Sequence, residues 1–292
     1  MRYFWNLIIA CLITVFSSAA FAGGPAHIII SSSNANQMEN IMDGIGTGVG
    51  NTDSRSFVAL ETTQGSAAGS WGHWYRLEIQ TVERNEGSFQ TFQGHDLALG
   101  FERRISPLVL VGLALGEQRY NSNSGNYRSD SQAFAPYFSF DFGRGFGVDA
   151  LYLKSDNSFG NNRPRGAREG FAVRLNAGAF PFGELLINPF AYYSQSEQGI
   201  FGSNTVSSMR KMAGIDATYS FKNFEAFARV ARDIKYAAYG RVESLDEPHG
   251  GYSYRLGVSG SLGGGTISAS FGRENYPDGV GNTASISFDV PF

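Results

Sequence analysis

From Trp71 onward, apolar residues recur at every second position, in segment after segment. In WYRLEIQT, Tyr75, Leu77 and Ile79 alternate with Arg76, Glu78 and Gln80. In HDLALGF, Leu97, Leu99 and Phe101 alternate with Asp96, Ala98 and Gly100. APYFSFDF, GFAVRLNAGA and GYSYRLGVSGSL repeat the pattern. A period of two means β-strands with one apolar face. About twelve such segments, roughly ten residues each, match strands that cross a bilayer at a tilt. Their approximate spans are 71–82, 91–102, 108–118, 132–142, 146–155, 170–180, 185–195, 210–221, 224–235, 251–262, 265–273 and 283–292.

The connections add a rhythm. RISPL, GRG, PFGE, KN and GG are short, whereas RYNSNSGNYRSD, DNSFGNNRPRGARE, SEQGIFGSNTVSS and ENYPDGVGN are long and polar. Short periplasmic turns alternating with longer external loops are the habit of outer-membrane barrels. A secreted β-sandwich would also alternate in hydropathy. It needs neither this loop rhythm nor so many large aromatics on one face. With 24 Phe, 14 Tyr and only 17% charged residues, the composition favours the membrane barrel. A mean hydropathy of −0.18 fits it too, because polar lumen positions offset the lipid face. The fold class expected is therefore all-β, an antiparallel transmembrane barrel of about twelve strands.

The first residues, MRYFWNLIIACLITVFSSAAFA, read as a secretory signal peptide over 1–22, cut after Ala22. A lipoprotein reading would use Cys11, but too little apolar sequence precedes it. Cys11 is the one cysteine of the chain, so the exported protein has no disulfide. No later apolar run is long enough for a spanning helix. A net charge of −3 leaves no basic excess for nucleic acid. Residues 23–70 form a short leader, and 71–292 the barrel. In NANQMENIMDGIGTGVG, Met38, Ile41, Met42 and Ile45 share one helical face, with Glu39 and Asp43 four apart. This stretch reads either as a short plug helix inside the barrel or as a flexible leader.

The segment TASISFDVPF keeps its alternation to Phe292, as expected of a strand that closes the sheet in lipid. GHDLALGFERRISPLVLVGLALG, GFGVDALYLKSD, FEAFARVARDIKY, YSYRLGVSGSLGGG and SISFDVPF together resemble the autotransporter translocator domain of type V secretion in Gram-negative bacteria. The resemblance covers roughly 71–292 and is one of pattern. It implies an outer-membrane location and a lumen helix linking the barrel to an exported passenger. It also implies an assembly signal on Ile286, Phe288, Val290 and Phe292, read by the barrel-assembly machinery after escort by periplasmic chaperones. The leader is too short for a large passenger, so the function expected is membrane-embedded transport or surface display with little or no cargo. The alternatives are a narrow solute pore, or a structural or adhesive barrel working through its external loops. The implied partners are outer-membrane lipid and the assembly factors, and the barrel is expected to be a monomer.

Catalytic chemistry is weakly signalled. His27, His73, His95 and His249 lack metal-ligand spacing, and His95 and Asp96 point to opposite faces of one strand. Neither SGSLGGG nor GIGTGVG has the context of a nucleophile elbow or a phosphate loop. No catalytic, cofactor-binding or metal residue is assigned, and no enzyme activity is expected. Parity puts Arg76, Glu78, Asp96, Glu102, Asp149, Arg174, Asp216, Glu225, Arg229 and Arg255 on the lumen face. They form either a polar conduit or a network of ion pairs that fills the barrel.

Overall fold

The computed structural model describes residues 37–45, 68–84, 91–122, 128–159, 165–200, 204–239, 244–245, 251–262, 264–276 and 279–291. The signal segment, Cys11, most of the leader, His27, His249 and Phe292 lie outside the described residues. So do the tips of the polar connections.

The described residues form fourteen strands, β1 (Trp71–Arg84), β2 (Thr91–Ser106), β3 (Val109–Ser122), β4 (Arg128–Gly143), β5 (Phe146–Phe159), β6 (Arg165–Ala177), β7 (Phe180–Phe182), β8 (Leu185–Ile200), β9 (Asn204–Ser220), β10 (Phe224–Tyr239), β11 (Ser244–Leu245), β12 (Tyr252–Leu262), β13 (Gly265–Tyr276) and β14 (Gly279–Pro291). Twelve of them make a closed antiparallel ring in which each strand pairs with its neighbours in the chain. β7 and β11 are short additions on β8 and β10. β14 completes the ring by pairing with β1, with Tyr75 opposite Phe288 and Leu77 opposite Ile286. Closure leaves no strand edge with unsatisfied backbone groups, which lipid would not tolerate.

Hydropathy runs inside out. Leu97, Phe101, Phe134, Phe138, Phe171, Ile215, Val230 and Leu256 are exposed, while their polar neighbours along the strands are buried. An exposed apolar belt around the whole circumference far exceeds what a water-soluble surface carries. The barrel therefore spans a membrane with strands. No described helix is long and apolar enough to do so. The end with the tight turns at 107–108, 144–145, 183–184 and 221–223 carries an aromatic girdle. There Phe221 stacks on Phe224 at 4.4 Å, and Arg103 lies over the Trp71 ring at 5.0 Å.

The strands exceed the roughly ten residues expected. β9 has 17 residues, and β2, β4, β8 and β10 have 16 each. Much of what reads as long polar loop is strand. Arg119 and Asn121 pair with Asp130 and Arg128 in a ladder that continues beyond the apolar belt. Alternation stops where the lipid stops, whereas backbone hydrogen bonding continues into water. The expected strand over 170–180 ends at Ala177 instead, because the backbone breaks at Gly178, with φ at 102°, before β7 begins.

Candidate functional site

Residues 37–44 form a helical segment, and every residue from Gln37 to Ile45 is buried. Its apolar face, Met38, Ile41, Met42 and Ile45, packs in one cluster with strand residues that point away from the lipid. Several of these are small: Ala98, Ala114, Ala133, Ala135, Ala172 and Ala231. Small inward side chains at this level leave the width that a helix needs. At its end, Gly44 lies against the fully buried indole of Trp74. A Cβ there would come within 2.7 Å of the ring, and one at Gly100 within 2.0 Å. Trp74 therefore fills a slot made by two glycines, one on the helix and one on β2. Its Nε1 donates to Tyr137 Oη at 3.0 Å, and that hydroxyl donates to Glu102 Oε2 at 3.1 Å.

The polar face of the helix carries the two carboxylates. Asp43 accepts from Arg255 at 2.6 Å, Arg229 at 3.0 Å, Arg174 at 3.1 Å and Arg76 at 3.5 Å. Glu39 accepts from Arg210 at 3.0 Å and Arg229 at 3.4 Å. These arginines come from β1, β6, β9, β10 and β12. A segment that meets side chains from strands around the ring lies in the lumen.

The arginines are held in turn. Asp216 binds Arg229 at 2.7 Å and also pairs with Arg174. Asp233 binds Arg210 at 2.7 Å, Glu274 binds it at 3.3 Å, and Glu78 binds Arg255 at 3.1 Å. The guanidinium groups of Arg174 and Arg229 both lie over the Phe190 ring, at 4.6 and 4.8 Å. Five guanidinium groups and six carboxylates thus form one network buried from water. A lone charge in such a place costs several kcal/mol, and mutual pairing with hydrogen bonds is what makes the arrangement tenable.

All ten charged residues that strand parity placed on the inner face are buried. Arg76, Glu78, Arg174, Asp216, Arg229 and Arg255 belong to the network around the helix. Asp149 accepts from Asn176 at 2.9 Å, Asp96 from Gln118 at 3.4 Å and Glu225 from Ser220 at 3.2 Å. Glu102 belongs to the Trp74 and Tyr137 chain. Arg210, Asp233, Glu274 and Trp74 are central here and were not singled out from the sequence. The polar run before Arg210 reads as loop, which hides the parity of the strand it belongs to. Of the closing-strand residues, Ile286, Phe288 and Val290 alternate with buried Ser285 and Asp289 and are partly exposed. His73 is half-buried, edge-on to Tyr75 at 5.2 Å, and His95 is half-buried on β2. Among the described residues, no group of three or more His, Cys, Asp or Glu is arranged to hold a metal ion.

No family model matches the chain, and no curated protein matches it in sequence. Solved structures do match in fold. The translocator domain of the autotransporter NalP from Neisseria meningitidis superposes with a TM-score of 0.61 at 14% identity, covering 91% of this chain and 99% of that one. The β domain of the Bordetella autotransporter BrkA gives a TM-score of 0.57 at 13% identity, covering 75% of this chain and 98% of that one. At these identities the likeness is one of fold.

Proposed function

We propose that this chain is an outer-membrane barrel of the autotransporter translocator type that keeps its own N-terminal segment in the lumen and displays a short leading sequence at the cell surface. The observation that carries this reading is the double anchorage of the helix. Glu39 and Asp43, one helical turn apart, engage arginines from five strands. A free-running solute pore has no use for a lumen so occupied. The fold likeness to the NalP and BrkA domains supports the same reading. The role is non-catalytic, since the charged groups around the helix are spent on one another and on it. Assembly follows from the closing strand, with Ile286, Phe288, Val290 and Phe292 read by the barrel-assembly machinery after delivery by periplasmic chaperones. The barrel works as a monomer in outer-membrane lipid.

Conductance across planar bilayers tests this. The chain from residue 23 onward should conduct poorly. A version lacking residues 23–50 should stay folded, as judged by heat-modifiable mobility on gels, and conduct at least several-fold better. Cysteines at Glu39 and Arg210 should crosslink in the first protein. Equal conductance of the two, with no crosslink, would establish a pore with a loose leader instead.

A further inference from the structure

The outward face of the barrel is not uniform at the upper rim of its apolar belt. On the β3–β6 side, the outward cations are paired with acids: Arg119 with Asp130 opposite it at 2.9 Å, Arg128 with the same Asp130 on its own strand at 2.8 Å, and Lys154 with Glu169 opposite it at 3.0 Å. On the β8–β13 side the pattern differs. Lys211, Arg232 and Arg273 are all exposed, and their cross-strand neighbours are Tyr193 and Lys235, Ala213 and Tyr252, and Tyr254 and Asn282. Among the described residues, no carboxylate forms an ion pair with any of the three. Instead Lys211 lies over the Tyr193 ring and Arg232 over the Tyr252 ring, each at 5.7 Å, and Tyr252 stacks against Tyr254 at 6.4 Å.

The depth of this row is informative. From Phe224 in the turn-end girdle to Arg232 is a climb of about 21 Å, at about 3.4 Å per residue and a tilt of about 40°. An apolar belt is about 25 Å tall. The row therefore lies at the outer headgroup level, where tyrosines commonly sit. Directly below it the surface is apolar and low in relief: Ala213 and Ala228 flank Ile215 and Val230, with Leu256 beside them. Unpaired cations above a smooth apolar wall fit an amphiphile with an anionic head.

We propose that Lys211, Arg232 and Arg273, with Tyr193, Tyr252 and Tyr254, form a binding site for a phosphorylated, multiply acylated lipid of the outer leaflet. The guanidinium groups bind phosphate oxygens through paired N–H donors, and Lys211 adds a point charge. The tyrosine rings support the cations from the side and leave their donors free for the headgroup. The acyl chains lie on the alanine-lined wall beneath. The site rests on the membrane orientation of the proposed function but not on the state of the lumen, so the two fail separately.

The test uses the folded barrel in neutral detergent, titrated with diphosphorylated lipid A and followed by native mass spectrometry. The triple variant Lys211→Gln, Arg232→Gln, Arg273→Gln should bind at least tenfold more weakly while keeping normal heat-modifiable mobility. The double variant Arg119→Gln, Lys154→Gln should bind like the original. Lipid A stripped of its phosphates should bind the original protein as weakly as phosphorylated lipid A binds the triple variant. Exchanging Arg232 and Arg273 for Lys should retain most of the binding, which separates a charge role from a folding defect. Undiminished binding by the triple variant, or by the phosphate-free lipid, overturns the proposal. So does displacement of the lipid by millimolar inorganic phosphate, which would mark a simple anion site.

Discussion

Asp43 accepts from arginines of four strands, whereas Glu39 accepts from two, one of them shared. The two carboxylates are therefore not equivalent. Replacing Asp43 with Ala leaves Arg76, Arg174, Arg229 and Arg255 crowded around a void, with Asp216, Glu78 and the longer contact from Glu39 to offset them. Loss of one partner from a buried network typically costs about 3–5 kcal/mol. Replacing Glu39 is milder, because Arg210 keeps Asp233 and Glu274. We expect Asp43→Ala to raise the open probability in bilayers strongly and Glu39→Ala weakly. The reverse order would mean that Asp43 is not the principal anchor. The Trp74 slot gives a second expectation. Gly44→Val places side-chain atoms where the indole now lies, so either the ring or the helix end must move. Since Trp74 is fully buried, its emission should shift to the red in this variant. Unchanged emission would show that the helix end yields and the ring stays. Trp71 is exposed in both proteins and contributes a constant background.

At the scale of the strand, the seam between β14 and β1 has no redundancy. Phe288 lies between Tyr75 on β1 and Ile267 on β13, on the lipid side. Phe288→Asp should cost roughly 2–4 kcal/mol at mid-depth and reduce the yield of folded barrel, read by heat-modifiable mobility. Normal yield would place this position out of the lipid. Strand β12 separates the two faces in adjacent residues. Leu256 is exposed, so Leu256→Arg should impair insertion by a similar amount. Arg255→Leu should leave the strand in place yet remove a partner from both Asp43 and Glu78, giving a folded barrel with a looser helix. Two equally unfolded variants would mean that the ladder depends on the lumen network. These contrasts also show what the sequence makes legible. Alternation in WYRLEIQT or YSYRLGVSGSL defines a strand and its faces because one face meets lipid and the other does not. Strand ends such as 119–122 and 128–131 were unreadable, because above the membrane both faces are polar and the period fades although the ladder persists. The role of Trp74 was unreadable for another reason. Parity with Arg76 and Glu78 turns it inward, but the glycines at 44 and 100 that make its slot lie far away in sequence. The joining of Arg210, Asp233 and Glu274 depends on three strands meeting around a ring, which no local pattern encodes.

For the whole molecule, the polarity of the helix matters more than its presence. Asp43 meets Arg174 near the turn end of β6, Arg76 in the first half of β1 and Arg229 in the first third of β10. Glu39 meets Arg210, which is held by Asp233 and Glu274, and Arg210 and Glu274 lie toward the opposite ends of β9 and β13. The helix therefore points its N-terminal end toward the long strand extensions and its C-terminal end toward the tight turns. With the turns in the periplasm, the N-terminal end of the helix faces outward and its C-terminal end faces the periplasmic side, where β1 starts. The buried pairs that hold this direction are poorly screened by salt, unlike surface pairs. We expect a short epitope placed between residues 30 and 31 to be labelled on intact cells, and to remain so at 1 M salt. An epitope placed between residues 55 and 56 should be reached only after the outer membrane is permeabilised. If the two tags exchange their behaviour, the helix runs the other way and the display reading fails even though the barrel stands. If the first tag is lost in salt while the barrel stays folded, the ion pairs are more open to water than their burial indicates.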